Sequence, residues 1–206
     1  MAPTLRLLLA SSNPGKAREY RSLAGNGRVE VELLPEFNKI SLFDETAPTF
    51  AENAAGKADY YSRQTDSLIL ADDSGIVVPA LGGAPGVLSA RYAGPNATDA
   101  DRVQKLLRET KNFEGESRRA KFVCVIAVAR RGRVFIVTSD FVEGMLAKEP
   151  QGNGGFGYDP IFFLPQIGKT YAETSPEEKN RLSHRGKAFR RALALLEDPA
   201  SVVWLE

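Results

Sequence analysis

Apolar and polar residues alternate along this chain in two rhythms, and most of its elements can be read from them. Leu5-Arg6-Leu7-Leu8-Leu9-Ala10 is a short apolar run and predicts a strand. Ser11-Ser12-Asn13-Pro14-Gly15-Lys16 follows, then a helical pattern through Leu23, with Asn13 suited to the N-cap and Pro14 to the first helical position. Arg28 to Leu34 alternates and predicts a second strand. Pro35 to Pro48 has no period and predicts irregular acidic chain, with Asp44-Glu45 near its end. Thr49-Phe50-Ala51-Glu52 is a capping box that opens a helix to about Thr65, so Glu52 has a structural task.

The next stretch, Leu68-Ile69-Leu70-Ala71-Asp72-Asp73-Ser74-Gly75-Ile76-Val77-Val78, reads as a buried strand ending on two acids, a tight turn at Ser74-Gly75, and a second apolar run. Acids at the carboxyl end of such a strand lie where open α/β sheets place their sites. Adjacent strand residues point to opposite faces, so only one of the acids faces a given cleft. The pair is either a divalent-metal or general-base site or an Asp-rich turn. Glu45 either completes a metal shell with these acids or is an ordinary loop acid.

Glycines and prolines between Pro79 and Tyr92 predict a defined loop. Thr98 with Asp101 opens a helix to about Glu109. Arg119 to Ala129 is apolar on both faces and predicts a central covered strand, turned at Arg131-Gly132 into Val134 to Val142. The sheet is therefore mixed. Gly152-Asn153-Gly154-Gly155-Phe156-Gly157-Tyr158-Asp159-Pro160 exposes backbone and interleaves two aromatics, which either stack on a nucleobase or pack into the core. Ser175-Pro176-Glu177-Glu178 opens a last helical region, with a break expected near Ser183 or Gly186. A break at Ser183 lets Lys179, His184 and Arg185 converge on one pocket; otherwise they form a solvated basic face. Val202-Val203-Trp204-Leu205 predicts a short closing strand or a packed tail.

Composition narrows the choice of function. The chain has 206 residues and 43% hydrophobic content, enough for a full core in one domain or two small lobes. Twenty-seven basic against 26 acidic residues leave a net charge of +1, which argues against nucleic-acid or membrane-surface binding. Cys124, the single cysteine, reads as a core thiol and fits a reducing cytoplasm. The N-terminus lacks a signal-peptide pattern and no run is as long as a membrane span. With His184 as the only histidine, clustered histidine ligands are excluded. The start of the first helix, with Ser11 and Lys16, is either an anion site or a capped helix beside a solvated lysine; it is not a Walker A motif.

Four patches standing in order carry a resemblance: Ser11 to Lys16, Ala71 to Gly75, Gly154 to Pro160, and Lys179 with Ser183-His184-Arg185-Gly186. Together with Leu81 to Gly86 and Ser89 to Tyr92, they make the chain resemble the non-standard purine nucleoside triphosphate pyrophosphatases (the inosine/xanthosine triphosphate pyrophosphatase family), from about Leu5 to about Leu196. The resemblance implies an α/β fold, a long mixed central sheet flanked by helices, in two lobes of a single domain over residues 1–206 with an active-site cleft between them. It implies Mg²⁺-dependent hydrolysis of ITP, dITP or XTP to the monophosphate and pyrophosphate in a cytoplasmic homodimer that clears deaminated purines.

On that basis Asp73 is expected to act as general base, metal ligand or both, with Glu45 as second ligand and Asp72 a weaker candidate. Ser11, Ser12, Asn13, Pro14, Gly15 and Lys16 are expected to hold the phosphate tail, with Lys179 and Ser74 adding contacts. Phe156 is expected to stack on the base, Gly157, Tyr158 and Asp159 to shape its pocket, and Arg185 with His184 or a backbone N–H to read its 6-oxo edge. The competing reading is a non-catalytic nucleotide-binding module.

Overall fold

The computed structural model describes residues 4–25 and 29–198. Seven strands and five α-helices occur among them, joined in places by short 3-10 turns: β1 (Leu5–Leu9), α1 (Pro14–Ala24), β2 (Val29–Leu33), α2 (Phe50–Ser62), β3 (Leu68–Val77), α3 (Asp99–Glu109), β4 (Arg119–Arg130), β5 (Arg133–Leu146), β6 (Phe162–Leu164), β7 (Lys169–Thr170), α4 (Pro176–Leu182) and α5 (His184–Glu197). Arg28, expected in the second strand, and the expected closing segment Val202 to Leu205 lie outside the described residues. No described helix is long and apolar enough to cross a membrane.

The strands form one seven-stranded mixed sheet in the order β2-β1-β3-β4-β5-β6-β7. β1 runs parallel to β2 and to β3, with Leu7 opposite Val31 and Leu68. β6 is antiparallel to β5 and β7. The turn between β4 and β5 has positive φ at both Arg131 (52°) and Gly132 (76°), the backbone a two-residue hairpin needs.

The chain divides into two compact units. The first takes the described residues up to Asp73, Cys124–Asp140 and those from Arg185 onward. Pleating splits its strand residues between two cores. Leu7, Leu9, Leu68, Leu70, Cys124 and Ile126 pack with Tyr20 of α1 and Phe189 of α5, while Leu8, Ile69, Ala71, Val125 and Ala127 pack with Ala54, Ala58 and Tyr61 of α2. Both faces are covered, which is why these strands read as unbroken apolar runs. Cys124 is free and fully buried, and burial pushes its thiol up to about 12, as expected of a core cysteine. The second unit, Ser74–Val123 and Phe141–His184, is built around Ile76, Val103, Leu106, Phe122, Phe162 and Tyr171.

Two boundaries differ from the sequence reading. Asp72-Asp73-Ser74-Gly75 does not end a strand: β3 is continuous over 10 residues and carries both acids inside it. Gly75 serves close approach rather than a turn, since a Cβ there would lie 2.3 Å from Ser89 Oγ and 2.6 Å from the Gly86 carbonyl oxygen. That approach lets the Ser89 hydroxyl accept the Ile76 N–H at 3.0 Å. α2 stops at Ser62 rather than near Thr65. Of the two expected places for a break in the last helical region, the one at Ser183 is found, with extended backbone there, and Gly186 lies inside α5.

Candidate active site

In the first unit, alternation along β3 sends the two acids to different partners. Asp73, 5% exposed, accepts a hydrogen bond at 3.0 Å from Asn53 Nδ2 on α2. One turn further along α2, the buried Lys57 ammonium pairs with the Glu45 carboxylate. Burial first, and the Glu45 carboxylate second, push Asp73 up to about 6, against the pull of Lys57, Lys16 and the Asn53 hydrogen bond. Lys57 stays charged: burial lowers it, but Glu45 first and Asp72 next raise it above the usual lysine value. The result is a pair of neighbouring carboxylates, one of them poised near neutrality. Asn53 also ties the irregular segment before α2, through Ala47 N–H to its Oδ1 at 3.0 Å and its Nδ2 to Ala47 O at 3.2 Å, which holds the stretch carrying Glu45 against the helix.

Asp72 is fully buried among cations. Lys16 Nζ lies 2.9 Å from its Oδ1 and Arg185 Nε 3.3 Å from its Oδ2. Burial raises its carboxyl, but Lys16 and Arg185, with Lys57 behind them, more than offset this and hold it well below the usual carboxylate range. Arg185 is 2% exposed, and its Nη1 also reaches Glu19 Oε2 at 2.5 Å. Asp72 is thus an ionised counter-charge that organises two basic residues.

At the start of α1 the capped-helix geometry is present. Asn13 Oδ1 accepts the Gly15 and Lys16 N–H groups at 2.8 and 3.2 Å, and Ser11 Oγ accepts the Asn13 N–H at 3.1 Å. The Asn13 side chain takes two of the first N–H groups as an N-cap does, and the Lys16 ammonium rests on Asp72 rather than in solvent. Ser12 and Pro14 are exposed. An open pocket of about 330 Å³ lies beside this loop, lined by Ser11 to Pro14 and by Leu33, Leu34, Glu36, Phe37 and Asn38.

The second unit gathers another cluster. Lys179, 5% exposed, places its Nζ 2.5 Å from Asp159 Oδ2 and 4.7 Å from the centre of the Phe156 ring. Asp159 Oδ2 also accepts the Phe156 N–H at 2.7 Å. Gly155 is required here, since its φ is +71° and a Cβ would lie 2.0 Å from Asp159 Oδ2. Of the two loop aromatics, Tyr158 belongs to the core and donates its hydroxyl to Ser89 O at 2.9 Å, while Phe156 stays partly exposed. His184 is buried with its ring stacked on Phe122, centroids 4.6 Å apart and planes 4° apart. Ser74 is half-buried in β3.

Lys179 and His184 border the same Tyr171 ring, the ammonium 5.8 Å from its centre and the two ring centres 6.4 Å apart, and each of Lys179, His184 and Arg185 also has a partner of its own. Lys179 engages Asp159, His184 engages Phe122, and Arg185 engages Asp72 and Glu19. Ending α4 at Ser183 reorients the chain between these residues, and each then meets its own countergroup. Asn53, Lys57 and Glu19 belong to the ionic centre and were missed in the sequence. Their signal was present for α2: Asn53 and Lys57 are four residues apart on a helix face otherwise lined by Ala54 and Ala58, and polar groups on a buried stripe mark a site.

The donor set suits a hard divalent cation. Among the described residues no group of three or more His, Cys, Asp and Glu side chains is gathered for a metal. Mg²⁺, however, is commonly bound by one or two carboxylates plus substrate phosphates, and the neighbouring Asp73 and Glu45 fit that pattern. A groove of about 640 Å³ in the second unit, lined by Pro79, Arg119, Lys121, Glu143 and others, holds none of the candidate residues.

Comparison with known proteins is consistent along almost the whole chain. The model of the Ham1 family matches residues 7–195. A curated relative, the dITP/XTP pyrophosphatase of Geobacillus kaustophilus, is 49% identical over 185 residues, covering 90% of this chain and 91% of that protein. The solved structure of a HAM1 protein from Coxiella burnetii superposes with a TM-score of 0.82 at 42% identity, over 93% of this chain and 98% of the other. A nucleoside-triphosphatase / dITP/XTP pyrophosphatase from Mycobacterium abscessus superposes with a TM-score of 0.70 at 37% identity, over 94% of this chain and 100% of the other.

Proposed function

Because this chain belongs to the Ham1 family, we propose that it is a nucleoside triphosphate pyrophosphatase that hydrolyses the α–β phosphoanhydride of dITP, XTP and ITP to the monophosphate and pyrophosphate, with Mg²⁺ as cofactor. The observation that carries this reading is the Asp73–Glu45 pair, braced by Asn53 and by the buried Lys57, with Asp73 pushed up to about 6. A base with that affinity for protons is matched to neutral pH: mostly ionised, yet able to take a proton. Asp73 accepts the proton of the attacking water as the water oxygen bonds to phosphorus, and the bridging oxygen departs with pyrophosphate. Asp73 and Glu45 would hold the cation, which when bound supplies charge neutralisation at the phosphate oxygens.

Ser11 to Lys16 and Ser74 contact the phosphate tail in this assignment, Lys16 exchanging its partner Asp72 for phosphate, and Lys179 adds positive charge. Phe156 stacks on the base. Donors of the His184–Arg185 segment meet the 6-oxo group, with the Arg185 side chain anchored on Asp72 and Glu19 so that the helix start is fixed. Inosine and xanthine place an acceptor at that edge where adenine places a donor, and a buried donor–donor clash is strongly selective.

Product analysis tests the proposal. ITP, dITP, XTP, GTP and ATP are each incubated with and without Mg²⁺, and pyrophosphate and orthophosphate are measured. Metal-dependent pyrophosphate from ITP, dITP and XTP, with little from ATP, is expected, and Asp73→Asn should lower kcat by about 10²–10⁴ while nucleotide binding survives. Orthophosphate as the product means a terminal phosphatase. Nucleotide binding without turnover means a binding module.

A further inference from the structure

The glycine-aromatic loop is gripped from a second element by a carboxylate that has no role in the assignment above. Asp99 is the first residue of α3, and its Oδ2 accepts the Gly157 N–H at 2.6 Å. The preceding amide, of Phe156, goes to Asp159 Oδ2 at 2.7 Å. Two consecutive N–H groups thus end on two different carboxylates, and each carboxylate is held by its own cation: Asp159 by Lys179, Asp99 by Arg102. Arg102 is anchored in turn, donating through Nη1 to Ala90 O at 2.9 Å and Ala97 O at 2.6 Å. The third residue in line, Tyr158, is pinned through its hydroxyl to Ser89 O.

This grip is more than the loop's own sequence supplies. Gly155 and Gly157 flank Phe156 and both have positive φ, 71° and 62°. A stretch with glycine on either side of its aromatic has little conformational preference of its own and pays the largest entropy to be fixed. Hydrogen bonds to an ionised carboxylate are of the strong kind and suit that purpose. Nor is Asp99 engaged in capping its helix: the box at the start of α3 is made by Thr98 and Asp101, each bonded to the other's backbone N–H. The Asp99 carboxylate is thereby available for the loop.

We propose that Asp99 is a positioning residue for nucleotide recognition, fixing the Phe156–Gly157 peptide and with it the plane that the Phe156 ring offers to the base. The proposal rests on the reading of Phe156 as the stacking residue. Asp99 acts through Phe156 and touches neither the nucleotide nor the reacting bond.

Steady-state kinetics with ITP and Mg²⁺ on Asp99→Ala, Asp99→Asn, Phe156→Ala and the double variant Asp99→Ala/Phe156→Ala test it. Asp99→Ala is expected to raise KM about tenfold with kcat within about twofold. Asp99→Asn keeps an acceptor oxygen for the Gly157 N–H and should return KM to within about threefold of the parent. The double variant should be no worse than Phe156→Ala alone, because the two residues act in series. An unchanged KM in Asp99→Ala beside a raised KM in Phe156→Ala overturns the Asp99 role and leaves stacking intact. An unchanged KM in Phe156→Ala overturns the stacking reading, and the role of Asp99 falls with it. Additive penalties in the double variant also overturn the proposal, since they place Asp99 on a separate path. Should Asp99→Ala fail to fold, Asp99→Ser takes its place, too short to reach Gly157 but suited to a helix start; a KM equal to that of Asp99→Asn then refutes the role.

Discussion

Asp73 is the residue at which the proposed catalytic readiness and stability are opposed, and replacing it by asparagine in metal-free protein measures the conflict. In the folded chain Asp73 is pushed up to about 6 from an ordinary value of 3.8, by burial first and by Glu45 second. Between those two pH values the folded state keeps a proton that the unfolded state has released. Stability must therefore fall as pH rises through this window and stay low above it. The difference corresponds to about 3 kcal/mol at ~1.36 kcal/mol per pH unit.

Asparagine is uncharged at every pH and its amide oxygen can still accept the Asn53 Nδ2 hydrogen bond. The variant should match the parent near pH 4, where Asp73 is protonated, and exceed it by about 3 kcal/mol above pH 7. Urea unfolding followed by circular dichroism in EDTA, at several values from pH 4 to 8, reads this directly. For a chain of this size the gain amounts to about 6–12 °C in melting temperature. A variant that is less stable than the parent at pH 7.5, or a difference that does not change with pH, would refute the account of Asp73 as a carboxylate held under strain.

Two further substitutions probe the surroundings of that strain. Lys57→Met removes the buried ammonium that faces Glu45 and lowers Asp73, leaving two carboxylates in poor solvent; a loss of about 3–5 kcal/mol at pH 7.5 is expected, shrinking toward pH 4, by the same unfolding assay. A pH-independent loss would mean that Lys57 contributes through packing alone. Gly75→Ala forces a Cβ to within 2.3 Å of Ser89 Oγ and 2.6 Å of Gly86 O, groups already bonded to each other, and should cost about 1–3 kcal/mol. A cost below about 0.5 kcal/mol in thermal unfolding would show that the segment 86–89 yields easily and that Gly75 is not there for close approach.

Features whose cause is local were legible in the sequence, and features whose cause is a distant partner were not. The caps at Asn13, Thr49, Thr98 and Ser175 are made within three residues of each helix start, and all four are present. The opposite orientation of Asp72 and Asp73 follows from the pleat alone. The hairpin at Arg131-Gly132 announces itself by residue type. Ser74-Gly75 carries an equally strong local turn signal, yet the strand runs through it, because Gly75 answers to Ser89 and Gly86 and not to its own neighbours. Lys16 read either as part of an anion site or as a solvated lysine, and neither reading pointed to Asp72, 56 residues away, whose carboxylate Arg185 also reaches from 113 residues away. Lys57 and Asn53 passed as ordinary helix residues because what makes them part of the centre is Glu45 from one side and Asp73 from the other. The residues proposed for the chemistry stand out in the sequence by type and spacing. The counter-charges that tune them are contributed by other elements, so they emerge only when the fold has brought those elements together. Asp99 is of this second kind: nothing around it in α3 signals the glycine loop whose amide it holds.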